Sequence, residues 1–283
     1  MKNRILVTGS SGNIGTQIVK QLETSQANFL IGVSSNKEDL SSNQVHVDFN
    51  DKASLVKAFK DIDTLFLLFP MIEPMIDFAK NAIEAAKEVG VKHIVRSSGA
   101  GADSSSTFKM PKVQGTIDDL VKQSGMNYTI TKPTSFMQNF VNFFANDIKN
   151  GTLYMPAGQG KLGWVDVRDI AAVNAEILKN PNAYVNQELT ITGAENLSFE
   201  DALSIVSSVL DKKVNYVDVP ENAAIQAMKD YGMPDFVIEM TRSLNQIIKA
   251  GYAEGVTETV EKITGKQPIS FRQFVEDYKE NWQ

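Results

Sequence analysis

The first half of the chain alternates short, mostly apolar runs with amphipathic stretches. The runs cover residues 5–8, 29–33, 45–49, 64–69, 93–96 and 128–132, and turn residues separate them from their neighbours. Between two of these runs, apolar residues recur at helical spacing, as at Ile76, Ala79, Ile83 and Ala86. Fully apolar runs such as 64–69 are typical of parallel strands buried on both faces. The alternation predicts an α/β fold with an open, doubly wound parallel sheet.

The pattern changes after residue 192. Ser198 and Ser270 are expected to cap helices, a short strand is expected over 214–219, and helical periodicity dominates the remainder. We therefore expect a sheet domain over residues 1–192 and a smaller, mostly helical domain over residues 193–283.

A glycine-rich turn follows the first expected strand. Its glycines are Gly9, Gly12 and Gly15, and a helix is expected from about Asn13. Gly9 allows a tight exit from the strand, Gly12 lets backbone approach a pyrophosphate, and Gly15 allows close packing of helix and sheet. The N–H groups at the helix N-terminus can then bind phosphates. This arrangement predicts dinucleotide binding, with a plain strand–turn–helix connection as the alternative.

Loops at the carboxyl ends of the other strands are expected to complete the cofactor site, because ligands bind at this edge of such sheets. The second strand is followed by Ser34 rather than by the acidic residue that favours NAD, and hydrogen-bond donors and a lysine come next. This favours NADP(H) over NAD(H), although a solvated loop has the same composition. The expected cofactor-binding residues are Gly9, Ser10, Ser11, Gly12, Asn13, Ile14, Gly15, Ser34, Ser35, Lys37, Asp48, Phe49, Phe69, Pro70, Ser97 and Ser98.

Composition narrows the range of partners. There are 34 acidic and 28 basic residues and no basic block, which argues against nucleic acid because phosphate neutralisation needs clustered cations. The lack of cysteine excludes disulfides and is compatible with a reducing cytoplasm. Met1 leads almost directly into a strand, and no apolar run approaches the ~20 residues of a membrane span. We expect a cytoplasmic protein without a membrane partner, and a homodimer is one option for its oligomeric state.

Several segments together carry a resemblance to a known family. They are residues 8–15, 128–133, 136–139, 158–171 and 265–274. Over nearly its whole length the chain resembles the atypical short-chain dehydrogenase/reductase group typified by NmrA-like proteins and NAD(P)H:quinone oxidoreductases. The resemblance implies a Rossmann domain, NADP(H) in the glycine-loop cleft, and a small C-terminal domain that covers an apolar substrate pocket.

The chain departs from the family pattern where acid–base residues are expected. The Tyr-x-x-x-Lys of ordinary short-chain dehydrogenases is absent from the helix expected over 112–123. Several relatives place Lys or His four residues before an acid on this helix. If Asp118 is that acid, the position is held by Gln114, which is neither acid nor base at neutral pH. The family's Arg residues after the second strand and in the sixth correspond to Ser34 and Lys132.

Few catalytic candidates therefore remain. Ser98 and Lys112 are the candidates, although Lys112 is expected to face solvent, and Gln114 is expected to contribute little to turnover. No metal site is expected, because neither His46 nor His93 has further metal-ligand residues beside it.

Reduction by hydride transfer needs no visible protein acid, because the cofactor carries the hard chemistry. The favoured function is NAD(P)H-dependent reduction of a quinone or similar small, apolar conjugated acceptor, with residues 134–160 reaching toward its pocket. A non-catalytic, NADP-binding redox sensor of the NmrA type is the main alternative. A nucleotide-sugar epimerase is disfavoured, because it would need a base on the sugar hydroxyl. The expected acceptor-binding residues are Phe136, Met137, Asn139 and Phe140.

Overall fold

The computed structural model describes residues 3–34 and 40–283. Its contacts divide the chain into two compact units. The first comprises residues 1–106, 111–132 and 170–189, and the second comprises 107–110, 133–169 and 190–283. The single boundary expected after residue 192 differs from this division, because buried side chains within 137–164 share a core with helices of the C-terminal segment.

The strands confirm the expected parallel sheet. Seven of them form one sheet in the order β3-β2-β1-β4-β5-β6-β8, and the pairings from β3 through to β6 are all parallel. Because β1 lies between β2 and β4, the strand order reverses beside it, and such reversals are where doubly wound sheets bind ligands. The strands are β1 (Ile5–Val7), β2 (Phe29–Val33), β3 (Gln44–His46), β4 (Thr64–Leu67), β5 (His93–Ser97), β6 (Asn127–Pro133), β7 (Thr152–Met155), β8 (Gln187–Ile191) and β9 (Asn215–Asp218).

The helices begin and end at residues whose chemistry suits those positions. Asp51 accepts a hydrogen bond from the Ala53 N–H at the start of α2, and Ser198 forms a capping box with Asp201 at the start of α8. Gly90 ends α3 in the left-handed conformation. The helices are α1 (Asn13–Thr24), α2 (Lys52–Phe59), α3 (Met75–Val89), α4 (Lys109–Gln123), α5 (Asn139–Asn142), α6 (Ala145–Lys149), α7 (Val167–Lys179), α8 (Phe199–Leu210), α9 (Glu221–Asp230), α10 (Asp235–Lys249), α11 (Thr259–Thr264) and α12 (Phe271–Tyr278).

The second unit has its own aromatic core. Phe140 is fully buried, with ring centroids 5.0 Å from both Trp164 and Phe271. The Trp282 indole N–H donates to the Phe140 carbonyl at 3.0 Å, which joins the last residues of the chain to this core. A small parallel sheet of β7 and β9 belongs to the same unit. Throughout the described residues, no helix combines the length and apolar character needed to cross a bilayer.

Candidate functional site

The glycine loop has the geometry of a phosphate-binding turn. Gly9 leaves β1 with a φ of +65°, a conformation that side chains disfavour. A Cβ on Gly15 would lie 2.1 Å from the Gly9 carbonyl oxygen, so α1 can pack here only with glycine. Gly12 differs, since its backbone is extended (φ −84°, ψ 174°) and an added Cβ would meet only the Gly9 oxygen, at 3.4 Å. Two glycines therefore shape the turn, and the third leaves space above the helix N-terminus.

That helix end is open to an anion. Ser11, Gly12 and Asn13 are exposed, and within the described ranges no side chain caps α1. The Thr16 N–H makes the bond to the Gly12 carbonyl, so the N–H groups of the preceding turn have no partner within the helix. Free N–H groups at the positive end of a helix dipole suit a phosphate.

Hydrogen bonds hold this loop at the point where the strand order reverses. The Ser10 hydroxyl donates to the Gly32 carbonyl at 2.8 Å, which ties the loop to β2. The Thr8 hydroxyl donates to the Phe66 carbonyl at 2.8 Å and accepts from the Leu68 N–H at 3.1 Å, which ties β1 to β4. The phosphate-binding turn is therefore rigid on both sides.

The predicted residues after β3 and β4 also lie together. The Phe49 and Phe69 rings are 4.9 Å apart between centroids, and the Arg96 guanidinium lies 5.4 Å from the centroid of Phe69. Phe69 is buried, whereas Phe49 and Asp48 are partly exposed. The Asp48 carboxylate accepts from the Asn50 N–H at 2.9 Å, so one of its oxygens is already engaged.

A buried charge network extends from β5 to α4. Arg96 and Asp118 have fully buried side chains, with Arg96 Nε 3.9 Å from Asp118 Oδ1. The other Asp118 oxygen accepts from the Ser98 hydroxyl at 2.8 Å and lies 3.7 Å from Lys132 Nζ. Arg96 also donates from Nη2 to the Gln114 side-chain oxygen. Burial raises the pKa of Asp118, opposed by Arg96, while burial lowers the pKa of Arg96 to about 10, so the guanidinium stays charged at neutral pH.

The outer end of this network is a polar cavity of about 200 Å³. Glu188 forms ion pairs with both Lys122 and Lys132, with a distance of 2.5 Å from each Nζ to a carboxylate oxygen. Lys132 is thus paired with two carboxylates, those of Glu188 and Asp118. The cavity is lined by Ala102, Asp103, Ser104, Gly115, Asp118, Asp119, Lys122, Lys132 and Glu188.

The remaining candidates of this region differ in exposure. Lys112 is exposed on α4 and Pro70 is exposed after β4, as is Ser34 after β2. Ser97 is buried, and its hydroxyl has no hydrogen-bond partner in the part of the chain that is described. Ser35 and Lys37 lie outside the described residues.

The aromatic segment after β6 contains two adjacent amides that differ in burial. Asn139, an expected acceptor-binding residue, is partly exposed, whereas the neighbouring Gln138 is buried. Gln138 donates to Asp166 Oδ1 and accepts from the Val167 N–H, both at 3.0 Å, because the helical turn directs this side chain inward. Met137 and Phe140 are buried in the core of the second unit, with 1% and 0% exposure, while Phe136 is partly exposed. Their contact with an acceptor stays a prediction.

Comparison with known proteins gives this arrangement its context. The model of the NmrA-like family matches residues 1–276. The chain belongs to the NmrA-like family. A similar protein is the NAD(P)H azoreductase of Xenophilus azovorans, 32% identical over 275 residues that cover 95% of this chain and 96% of that protein.

Two solved structures share the NmrA-like fold. One is an NADPH-dependent quinone oxidoreductase from Escherichia coli complexed with NADPH, with a TM-score of 0.86, 20% identity and coverage of 97% of this chain and 99% of that chain. The other is the negative transcriptional regulator Nmra in complex with NAD, with a TM-score of 0.79, 17% identity and coverage of 98% and 95%.

The sequence did not point to one residue of this NmrA-like site. Arg96 lies in a buried strand and was not among the expected site residues, although it joins Phe69, Gln114 and Asp118. The sequence did contain a signal for this residue, namely an arginine within an apolar strand, because a buried charge needs polar or charged partners. The described residues therefore combine an uncapped helix N-terminus after the glycine loop with a buried arginine that contacts a neutral amide.

Proposed function

We propose that this NmrA-like protein is an NAD(P)H-dependent reductase of a small conjugated acceptor, such as a quinone or an azo compound. The uncapped α1 N-terminus behind the glycine loop carries this proposal, because it suits a dinucleotide diphosphate. The azoreductase relative, which aligns over nearly the whole of both chains, supports the class of reaction.

The residues present fit the cofactor. The diphosphate would be held by N–H groups at the start of α1, where a Cβ at Gly12 would meet only the Gly9 carbonyl oxygen, at 3.4 Å. Ser34 would face the adenosine ribose, and the Phe49 and Phe69 side would receive the rest of the adenosine half. When bound, NAD(P)H supplies the hydride. Ser98, fixed by Asp118, would flank the nicotinamide.

The chain's own contribution is binding, orientation and electrostatics. Gln114 transfers no proton at neutral pH, and the Lys132 ammonium is held by Glu188 and Asp118. Protons for the reduced acceptor therefore come from water. The apolar acceptor pocket, with Phe136 and Asn139 as its partly exposed members, remains part of this proposal.

The deciding experiment is a titration of the protein with NADPH and NADH, followed by a quinone or an azo dye while absorbance at 340 nm is recorded. We expect saturable nucleotide binding and acceptor-dependent oxidation. Tight binding without turnover on either acceptor class would instead favour the redox-sensor function, which the neutral Gln114 also fits. Failure of both nucleotides to bind would contradict the cofactor site itself.

The preference for NADPH is tested at the end of β2. Ser34→Asp places a carboxylate beside the expected ribose, which would repel a 2′-phosphate and accept a hydrogen bond from a free 2′-hydroxyl. We expect the Kd for NADPH to rise on the order of tenfold, equivalent to about 1.4 kcal/mol, while the Kd for NADH stays equal or falls. Ser34→Asn is the uncharged control. Equal changes for both nucleotides would contradict the NADP(H) preference.

A further inference from the structure

The side-chain amide of Gln114 has a fixed orientation. Arginine carries donors and no acceptor, so the Gln114 group that meets Arg96 Nη2 must be its oxygen. Arg96 cannot turn away, because it is fully buried, lies over the Phe69 ring and faces Asp118. The amide nitrogen of Gln114 is therefore directed away from Arg96.

That nitrogen is available for a ligand. Gln114 is partly exposed on α4, and its N–H₂ group has no hydrogen-bond partner in residues 3–34 and 40–283. Its side chain borders the loop that follows β5, since a Cβ built on Gly99 would lie 3.9 Å from Gln114 Cγ. This loop is at the carboxyl edge of the sheet, where ligands bind in doubly wound folds.

We propose that Gln114 is a hydrogen-bond donor to the acceptor, and that Arg96 is the positioning residue that keeps it a donor. This inference rests on the proposed reductase function and deepens it. Addition of a hydride to a quinone or an azo bond leaves negative charge on an oxygen or nitrogen, which water then protonates. A preoriented donor at that atom stabilises the developing charge. The positive guanidinium behind the amide polarises it and strengthens its N–H groups as donors.

Gln114 thereby has a role that its residue type alone did not indicate. Because this position lacks an acid or a base, Gln114 was expected to contribute little to turnover. The Arg96 contact instead replaces proton transfer with electrostatic stabilisation. The buried strand β5 supplies the positive charge, through Arg96.

Gln114→Leu tests this role, because it keeps the approximate shape and removes the donor. We expect kcat to fall about 100-fold, the effect of losing one donor to a developing oxyanion, with little change in the Kd for NADPH. Gln123→Leu, at the exposed end of the same helix, is the matched control and should keep full activity. A kcat for Gln114→Leu within threefold of the wild type would overturn the proposal.

A binding measurement separates this inference from the reductase proposal. An ionised hydroxynaphthoquinone carries the negative charge of a partly reduced acceptor and can be titrated calorimetrically without turnover. We expect Gln114→Leu to weaken this anion at least tenfold and to change the affinity for the neutral parent quinone much less. In ¹⁵N NMR spectra, the signal of the Gln114 side-chain amide can be assigned by its absence from the spectrum of the variant. We expect this signal to shift when the anion binds.

An equal loss of affinity for both quinones, or an amide signal that does not shift, would contradict the donor role even if the wild type is an active reductase. Conversely, a wild type without turnover would contradict the reductase proposal, while the anion titration would still decide whether Gln114 is a donor.

Discussion

Gly12→Val is expected to abolish binding of NADPH and NADH while the protein stays folded. The Gly12 backbone is extended and accessible to valine, and a Cβ there meets only the Gly9 oxygen, at 3.4 Å. The added isopropyl group would occupy the space above the free N–H groups of α1, where the diphosphate must approach. We expect an affinity loss on the order of 100-fold or more, equivalent to about 2.7 kcal/mol.

The matched variant at Gly15 should behave differently. In Gly15→Ala the new Cβ would lie 2.1 Å from the Gly9 oxygen, so the backbone of the turn must move. This variant should lose stability as well as nucleotide affinity. Fluorescence titration of NADPH, together with thermal unfolding, distinguishes the two. Unchanged nucleotide affinity in Gly12→Val would refute the assignment of the glycine loop.

Asp169→Asn is expected to stabilise the protein at neutral pH. Asp169 lies in the first turn of α7, is 8% exposed and accepts a hydrogen bond from the Ile269 N–H at 2.8 Å. Burial raises the pKa of its carboxyl to about 6, opposed by the Ile269 hydrogen bond, and the charge of Asp166 raises it further. Asparagine keeps an oxygen for the Ile269 N–H without the cost of a buried charge.

The pH dependence follows from the raised pKa. An unfolded aspartate has a pKa near 3.9, so the folded protein binds this proton more tightly between about pH 4 and pH 6. The stability that protonated Asp169 contributes is therefore present at acid pH and lost as the pH rises through 6. A difference of about two pKa units corresponds to about 3 kcal/mol as the largest gain for Asp169→Asn at pH 7.5, with almost none at pH 4.

Urea unfolding at the two pH values, followed by the fluorescence of Trp164 and Trp282, measures this difference. Both tryptophans are buried in the second unit, as is Asp169. Asp166→Asn is the contrasting variant, because the Asp166 carboxylate accepts a hydrogen bond from Arg168 Nη2 at 2.8 Å. Loss of this charged partner should lower the free energy of unfolding by about 2 kcal/mol. A less stable Asp169→Asn at pH 7.5 would contradict the expected cost of the buried charge.

Local signals allowed much of the fold to be predicted. The glycine spacing after an apolar strand identified the turn between β1 and α1, because Gly9 and Gly15 each meet a local requirement of the backbone within a few residues. The second strand was placed at Phe29–Val33 as observed, and the caps at Ser198 and Ser270 were predicted from side chains that hydrogen-bond to backbone groups a few residues away.

Features that depend on distant partners could not be predicted in this way. Gln138 and Asn139 are adjacent amides in one aromatic segment, and only the contact with Asp166 decides that Gln138 is the buried one. Likewise, the orientation of Gln114 depends on Arg96, eighteen residues earlier on another element. The period of hydrophobic residues predicts which face of an element is buried, but it does not predict which polar side chain is buried with that face.

The division of the chain into two units limits which segments of this protein can be exchanged with those of a relative. The chain passes between the units after residues 106, 110, 132, 169 and 189, so each unit is assembled from three separate segments. Because each unit is spread over three segments, a single crossover between two related genes cannot exchange one complete unit and leave the other unchanged. Recombination that grafts the second unit of a relative must carry residues 107–110, 133–169 and 190–283 together. A change confined to one unit is therefore made more simply by point substitution than by exchange of a continuous segment.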